Sequence, residues 1–169
     1  MFEDTSNENV KGFYPESFDR ILLDPPCSAL GLRPKLRVEV TLKQLQRFSK
    51  YQKRLVRNAV SLLKVGGILT YSTCTIHGEE NEGICYYILH TYPFMRLLPI
   101  DKDYLKDKKQ WGLPGFGLSD EERRFVKRYD PSLEDTVGFF IAKFIKLSTD
   151  FKHVSHEKTN PLLNEFIVT

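Results

Sequence analysis

Two cysteines occupy matching places in this sequence, each a few residues after a short apolar run. Residues 21–23 (ILL) lead into Asp24-Pro25-Pro26-Cys27, and residues 68–70 (ILT) lead into Tyr71-Ser72-Thr73-Cys74-Thr75. A cysteine thiolate is a strong nucleophile when a positive group or a helix N-terminus lowers its pKa. Cys27 and Cys74 are therefore candidates for covalent catalysis, and burial as small structural side chains is the alternative for each of them.

The elements that would position these thiols are two buried parallel strands. Both apolar runs are short, are bounded by turn-forming residues and are followed by a helical pattern, which is typical of strands in an open α/β sheet. Pro25 and Pro26 cannot donate ladder hydrogen bonds, so the first strand must end at Asp24; a plain strand-ending turn is the alternative interpretation. If the two strands are neighbours, both thiols lie at the rim outside their carboxyl ends, where such sheets bind ligands.

The other cysteine and the histidines give weaker signals. Cys85 falls in the apolar set of a helix predicted to open near residues 79–82, and we expect it to be a core side chain. Three cysteines without a C-x-x-C pair argue against a secreted disulfide framework. His153 and His156 have no partner at metal-ligand spacing, so no metal site is predicted.

Between the two predicted strands, residues 41–64 predict an amphipathic helix that begins after Thr41 and is stopped by Gly66-Gly67. The apolar face carries Leu45, Phe48, Leu55, Ala59 and Leu62. The opposite face carries five cations, here called the basic stripe: Lys43, Arg47, Lys50, Arg54 and Arg57. Because a solvated helix face normally mixes both signs of charge, the basic stripe indicates phosphate contact, with an ordinary solvated face as the alternative.

The remaining elements complete one domain without internal repeats. Residues 95–100 predict a further strand, residues 120–129 a short helix, and residues 136–145 a late strand of the same sheet. By this interpretation residues 1–17 form a loop, residues 18–147 form the folded domain, and residues 148–169 form a mobile tail.

Composition excludes several classes of protein. The 169 residues, 41% of them apolar, are enough for one domain with a substantial core. No apolar run approaches the roughly 18 residues of a membrane-spanning helix, and the acidic, polar N-terminus does not resemble a signal peptide. We therefore expect a cytoplasmic or nuclear location and no membrane partner.

Three segments, in their order along the chain, resemble the motifs of the Sun-domain RNA cytosine-5 methyltransferases. They are residues 24–34, residues 71–76 with Glu80-Asn81-Glu82, and residues 138–143 (GFFIAK), and the resemblance covers roughly residues 18–147. The segment of residues 117–131 is most similar to the tRNA-methylating members that carry an upstream PUA domain. The resemblance implies an α/β, Rossmann-like class I methyltransferase fold with a mostly parallel sheet and flanking helices. It also implies S-adenosylmethionine as the cofactor. It implies RNA as the partner that contacts the basic stripe, and the similarity of residues 117–131 favours tRNA among RNAs.

The resemblance also implies a role for each residue of the rim. The cysteine matching Cys74 attacks C6 of cytosine, which makes C5 nucleophilic enough to take the methyl group of S-adenosylmethionine. Cys27 helps to resolve the covalent adduct, and Asp24 hydrogen-bonds the edge of the cytosine ring close to the cofactor methyl group. Such chemistry requires a base that has been unstacked from its neighbours. Residues 138–143 would support the rim without taking part in the reaction.

The sequence departs from the family pattern in two ways. Pro25 stands where the family usually has Ala, Ala29 where it has Gly, and Val40 near a position that is commonly aromatic, which puts catalytic efficiency and RNA fit in question. The family's glycine-rich turn that cradles the cofactor, its ribose-binding acid after the second strand and its lysine near the site have no counterpart before Phe18. We therefore expect the chain to correspond to the C-terminal half of a catalytic domain, with one side of its sheet unpaired and with weak or no S-adenosylmethionine binding by itself.

Three rival functions remain open at this point. Asp-Pro-Pro followed by a ring residue marks enzymes that methylate exocyclic nitrogen, although Cys27 occupies the ring position here and such enzymes do not need Cys74. A non-catalytic RNA-binding remnant would use only the basic stripe. A redox protein would use Cys27 and Cys74 as a reversible pair, and is the least favoured of the three.

Overall fold

The computed structural model describes residues 13–33, 37, 40–100, 112–133 and 135–149. The strands are β1 (Phe18–Leu23), β2 (Leu63–Thr73), β3 (Met95–Leu98), β4 (Lys127–Tyr129) and β5 (Phe139–Lys146). The helices are α1 (Leu42–Leu62), α2 (Glu82–Thr91) and α3 (Glu122–Phe125), and a single 3-10 turn (Gly78–Glu80) precedes α2. The predicted α/β class is confirmed.

The five strands form one sheet in which β5 is inserted between β2 and β3. The order is β1-β2-β5-β3, and β4 pairs with β5. β1 is parallel to β2, while β5 is antiparallel to β2, β3 and β4. Four strands therefore point in one direction and β5 runs against them, as expected of a mostly parallel sheet with one late, inserted strand. Among the described residues β1 pairs only with β2, so its outer side is unpaired.

Helix α1 begins as the sequence predicts. Thr41 is its N-cap: its hydroxyl accepts from the backbone nitrogen of Gln44 at 3.3 Å, and the Gln44 side chain accepts from the backbone nitrogen of Thr41 at 2.8 Å. This reciprocal pair satisfies two amide groups that the first turn would otherwise leave unpaired. The buried side is rotated from the predicted apolar face and carries Ser49, Gln52, Val56, Ala59 and Val60.

Helix α1 ends at Leu62, two residues before the end predicted near residue 64. The predicted stop signal at Gly66-Gly67 was wrong, because the chain enters β2 directly at Leu63. The fully buried Lys146 ammonium, which comes from β5, donates to the carbonyl oxygens of Val60 at 3.1 Å and Leu63 at 2.8 Å. It also forms a 3.1 Å ion pair with Glu16. A lysine distant in sequence thus satisfies the carbonyl groups at the helix end, and no glycine is needed there.

The core lies between the sheet and its helices. Its side chains come from three strands and two helices and include Val56, Val60, Leu69, Tyr71, Ile84, Ile88, Met95, Phe140 and Phe144. Cys85 is fully buried among them, which confirms its prediction as a core residue.

The predictions for the two ends of the chain lie largely outside the described residues. The loop predicted for residues 1–17 is described only from Phe13 onward, and the predicted tail, including His153 and His156, lies outside the described residues from position 150. The helix predicted over residues 120–129 was wrong in its second half, because Val126 is buried and Lys127–Tyr129 pair with β5. None of the described helices is long and apolar enough to cross a membrane.

Candidate active site

The two candidate thiols meet at the carboxyl end of the parallel pair β1 and β2. Leu23, the last residue of β1, is in register with Tyr71 of β2, so the segments that follow the two strands leave the sheet at the same rim. Cys27 and Cys74 are half-buried there, with their sulfur atoms 3.3 Å apart. This separation is a hydrogen-bonding distance between two free thiols.

A close backbone approach holds the loop that carries Cys27 against β2 and β5. The backbone nitrogen of Gly31 donates to the carbonyl oxygen of Cys74 at 3.0 Å, and Gly138, just before β5, donates to the carbonyl oxygen of Gly31 at 2.7 Å. A Cβ atom on Gly31 would lie 2.4 Å from the Gly138 oxygen. Glycine is therefore the residue that fits between the two sulfur-bearing segments and β5.

A buried carboxylate fixes the same loop from the other side. Glu80 is fully buried, and its Oε2 atom accepts from the backbone nitrogen of Ser28 at 2.9 Å and from the Gln52 amide at 2.9 Å. The Gln52 amide also donates to the carbonyl oxygen of Pro26 at 3.1 Å. The residues on either side of Cys27 are thus tied to α1 and to the 3-10 turn.

Hydroxyl and amide groups fix the turn that carries Cys74. The hydroxyl groups of Ser28 and Thr75 are 2.8 Å apart, and Thr73 donates to the Asn81 side-chain oxygen at 2.6 Å. The Asn81 amide in turn donates to the carbonyl oxygen of Thr75 at 3.0 Å. Both sulfur atoms are therefore mounted on loops whose backbones have buried hydrogen-bond partners, which keeps the separation between them defined.

The environment of Cys27 favours its protonated form. Burial first, and then the hydrogen bond with Cys74, raise the pKa of Cys27 to about 11. At neutral pH its S–H group is therefore available to donate to the neighbouring sulfur of Cys74. The arrangement can hold one thiol as a proton donor beside a second sulfur that is the acceptor.

A family model described as 16S rRNA methyltransferase RsmB/F matches residues 3–145, a range that includes both thiols and all of their hydrogen-bond partners. The chain belongs to this family. The resemblance to the Sun-domain RNA cytosine-5 methyltransferases is confirmed.

Individual relatives agree with the RsmB/F assignment. The chain is 45% identical to rRNA (cytosine-C(5))-methyltransferase NOP2C of Arabidopsis thaliana, over 79% of this chain and 24% of that protein. It is 37% identical to tRNA (cytosine(72)-C(5))-methyltransferase NSUN6 of Mus musculus, over 86% of this chain and 35% of that protein. The solved structure of NSun6 from Pyrococcus horikoshii with SFG matches with a TM-score of 0.64 and 39% identity, covering 76% of this chain and 30% of that one. The chain thus spans about a quarter to a third of the length of these relatives.

The other residues predicted for the site of this RsmB/F-family chain lie at the surface. Asp24 is exposed at the carboxyl end of β1, on the same rim as the thiols. All five side chains of the basic stripe are exposed along α1. No group of three or more metal-ligating side chains occurs within the described part of the chain.

Sequence reasoning missed Glu80 and Gln52 as parts of the site. Glu80 stands in a motif of the resemblance, but acids at 79–82 were interpreted as first-turn helix residues. Gln52 lies on α1 within the predicted apolar face, four residues after Phe48 and three before Leu55. A polar residue on the inward side of an amphipathic helix was the available signal, because such a group must find a buried partner.

Proposed function

We propose that this chain carries the nucleophile of an S-adenosylmethionine-dependent RNA cytosine-5 methyltransferase, in which Cys74 forms a covalent adduct at C6 of the target cytosine. The observation that carries the proposal is the 3.3 Å contact between two free thiols at the carboxyl rim of parallel strands. The relatives named above are cytosine-C5 methyltransferases of rRNA and of tRNA, which supports RNA as the substrate.

The two thiols have different tasks in this proposal. The Cys74 thiolate adds to C6, and the electron pair that moves to C5 makes that carbon nucleophilic enough to be methylated. After methylation a base removes the C5 proton, and the bond between C6 and the Cys74 sulfur breaks. The Cys27 S–H group, 3.3 Å from that sulfur, stabilises it as it departs. A thiol whose pKa lies near 11 keeps its proton for this step at neutral pH.

The described residues fit one side of a bound S-adenosylmethionine. When bound, this cofactor supplies an electrophilic methyl group on a positively charged sulfur. The exposed carboxyl group of Asp24 at the end of β1 is suited to lie near that charge and to accept a hydrogen bond from the cytosine edge. β1 is an edge strand of the described sheet, and Leu22 on it is 73% exposed. Contacts to the rest of the cofactor would have to come from the outer side of β1.

We accordingly propose that this chain alone binds S-adenosylmethionine weakly, at best in the millimolar range. Isothermal titration calorimetry of the chain with S-adenosylmethionine checks this point. A micromolar dissociation constant would show that the described rim is sufficient for the cofactor.

Covalent capture tests the proposed chemistry without requiring methyl transfer. In RNA that contains 5-azacytidine, the ring nitrogen at position 5 makes C6 more electrophilic, so a nucleophilic cysteine is trapped as an adduct that survives denaturing electrophoresis. Wild-type protein and the Cys85→Ala control are expected to be captured, because Cys85 lies in the core. Cys74→Ser is expected to give no adduct. Cys27→Ser is expected to form the adduct and to retain it longer.

Each rival function predicts a different result in the capture experiment or in a companion measurement of methyl transfer or disulfide formation. RNA binding without capture by the wild-type protein would favour a non-catalytic RNA-binding role. Methylation that survives in Cys74→Ser would favour an enzyme that methylates exocyclic nitrogen. A disulfide between Cys27 and Cys74 that forms and reduces reversibly, without capture, would favour redox chemistry.

A further inference from the structure

A small cleft adjoins the thiol rim on the side of β4 and β5. Its volume is about 270 Å³, and its lining includes Ile76, Phe116, Arg128, Tyr129, Asp130 and Phe139. This volume is slightly below the roughly 300–1,000 Å³ of sites for drug-sized ligands. It suits a single planar ring system better than a whole S-adenosylmethionine molecule.

The cleft is tied closely to the candidate nucleophile. Ile76 is two residues after Cys74, a span of at most about 7 Å along the chain. Phe139 follows Gly138, which donates to Gly31 in the Cys27 loop. The cleft and the two sulfur atoms therefore lie on directly connected segments, and the short chain span from Cys74 to Ile76 is one that neighbouring nucleotides of one strand can bridge.

The lining offers flat rings without excess positive charge. The Arg128 guanidinium lies 4.2 Å from the ring centre of Phe116, donates to the carbonyl oxygen of Ile76 at 2.6 Å and is 3.4 Å from Glu82. Its charge is thus balanced by a buried carboxylate. Asp130 adds a second negative charge, since hydrogen bonds from Ser132 lower its pKa below the usual range. A phosphate group would meet a carboxylate here, whereas the face of a base would meet rings and a guanidinium plane.

We propose that this cleft binds the base of a nucleotide next to the target cytidine, and that Asp130 favours a base with an exocyclic amino group. This proposal rests on the proposed function and names a substrate contact of the same site. Cytosine, adenine and guanine can donate an amino hydrogen to the carboxylate. Uracil presents two carbonyl oxygens beside its one ring N–H, and these oxygens would be repelled.

The test asks whether the loss of affinity caused by removing the Phe116 side chain depends on the base next to the cytosine. Binding of six-nucleotide single-stranded RNAs with one cytosine is measured by fluorescence anisotropy, with an abasic nucleotide placed on either side of that cytosine. Wild-type protein should lose roughly 5- to 150-fold in affinity for one of the two abasic strands, the range expected for one stacked base. Phe116→Ala should lose a similar factor on the intact strand and almost nothing more on the abasic strand. Phe116 is 41% exposed, so this variant should fold, which circular dichroism verifies.

Two further variants complete the test. Tyr14→Ala removes an aromatic ring that is 84% exposed outside the cleft lining, and should keep the full abasic penalty. Asp130→Asn retains an oxygen to accept from Ser132 and should lose the preference for amino-bearing bases over uracil at the same position. An abasic penalty that is equal in wild-type protein and Phe116→Ala, or that is absent from wild-type protein, overturns the inference.

The proposed function can fail separately. Capture on 5-azacytidine RNA without coupling between Phe116 and the neighbouring base would remove the base site and leave the covalent chemistry in place. Coupling without capture would leave the base site in place and remove the covalent chemistry.

Discussion

The Oε2 atom of Glu80 lies 2.9 Å from the backbone nitrogen of Ser28, so a fully buried carboxylate holds the residue that follows Cys27. The same oxygen accepts from Gln52, whose amide also reaches the carbonyl oxygen before Cys27. The position of the Cys27 sulfur therefore depends on an acceptor in a different segment of the chain. Glu80 is a positioning residue, since its contacts are to the loop and not to the sulfur.

Replacing Glu80 tests this dependence. Glu80→Ala removes the acceptor of the Ser28 backbone N–H group and one of the two acceptors of the Gln52 amide, and should lower the free energy of unfolding by about 2–4 kcal/mol. Glu80→Gln keeps an oxygen at that place and should restore most of the stability and of the rate of covalent capture. Chemical denaturation and the capture assay provide the measurements. Glu79→Ala is the matched control, because the Oε1 atom of Glu79 has no hydrogen-bond partner among the described residues. A loss as large as that of Glu80→Ala would contradict the assignment.

The pH dependence of alkylation should distinguish Cys27 from Cys85. With a pKa of about 11, Cys27 is roughly 0.1% thiolate at pH 8, against about a quarter for an unperturbed thiol. Its reaction with iodoacetamide should therefore rise about tenfold per pH unit up to that value. Cys74→Ala removes a hydrogen bond that raises the Cys27 pKa, so the midpoint should fall while burial keeps it above that of a free thiol.

Peptide mass spectrometry at several pH values measures these rates for each thiol. Cys85 is the internal reference: burial raises its pKa and encloses it, so it should remain unmodified while the protein is folded. A Cys27 midpoint near 8.5 in the wild-type protein would contradict the protonated state on which its proposed role depends.

Much of the fold was predictable because its signals are local. Short apolar runs before Asp24 and Cys74 located β1 and β2, and the β-branched run near residues 136–145 located β5. Thr41 located the start of α1 through capping chemistry. The end of α1 could not be read locally, because the group that satisfies its last carbonyls is Lys146, which lies more than eighty residues away. β4 could not be read locally either, because it is three residues long and is defined by its pairing with β5.

The site was predictable only in part. The two thiols could be placed on one rim because parallel neighbours share their carboxyl ends. The contacts of Glu80 and Gln52 with the Cys27 loop could not be predicted, because the sequence does not show which backbone group a buried polar side chain will contact. The cleft beside Ile76 likewise combines four separate segments of the chain, and no pattern within one segment indicates it.

The close approach of Gly138 to Gly31 should be needed for the geometry of the sulfur pair. A Cβ atom on Gly138 would lie 2.7 Å from the Gly31 Cα atom and 2.7 Å from a methyl group of Ile76. Gly138→Ala should therefore push the Cys27 loop away from β5, cost about 1–3 kcal/mol of stability and slow covalent capture. Thermal denaturation and the rate of capture measure the two effects.

Gly66→Ala is the control for the glycine prediction. Gly66 has a φ of +76°, and no atom of the described residues lies within 4 Å of an added Cβ atom, so its substitution should cost about 1 kcal/mol through backbone strain alone. Capture should continue at the wild-type rate. If Gly138→Ala also retained the wild-type rate, the close approach would be a packing feature without influence on the thiols.

The basic stripe should determine the salt dependence of RNA binding. Each phosphate contact to a single strand contributes about 0.7 to the slope of log affinity against log salt concentration. The double substitution Arg47→Gln with Arg54→Gln should therefore reduce the magnitude of the slope by about 1.4 without changing stability, since both side chains are exposed. The matched control removes the same charge from α3 through Arg123→Gln with Arg124→Gln, two side chains that are also exposed, and should leave the slope nearly unchanged. Equal slopes for the two double variants, measured by fluorescence anisotropy between 50 and 300 mM salt, would mean that RNA senses only net charge and that α1 is an ordinary solvated helix.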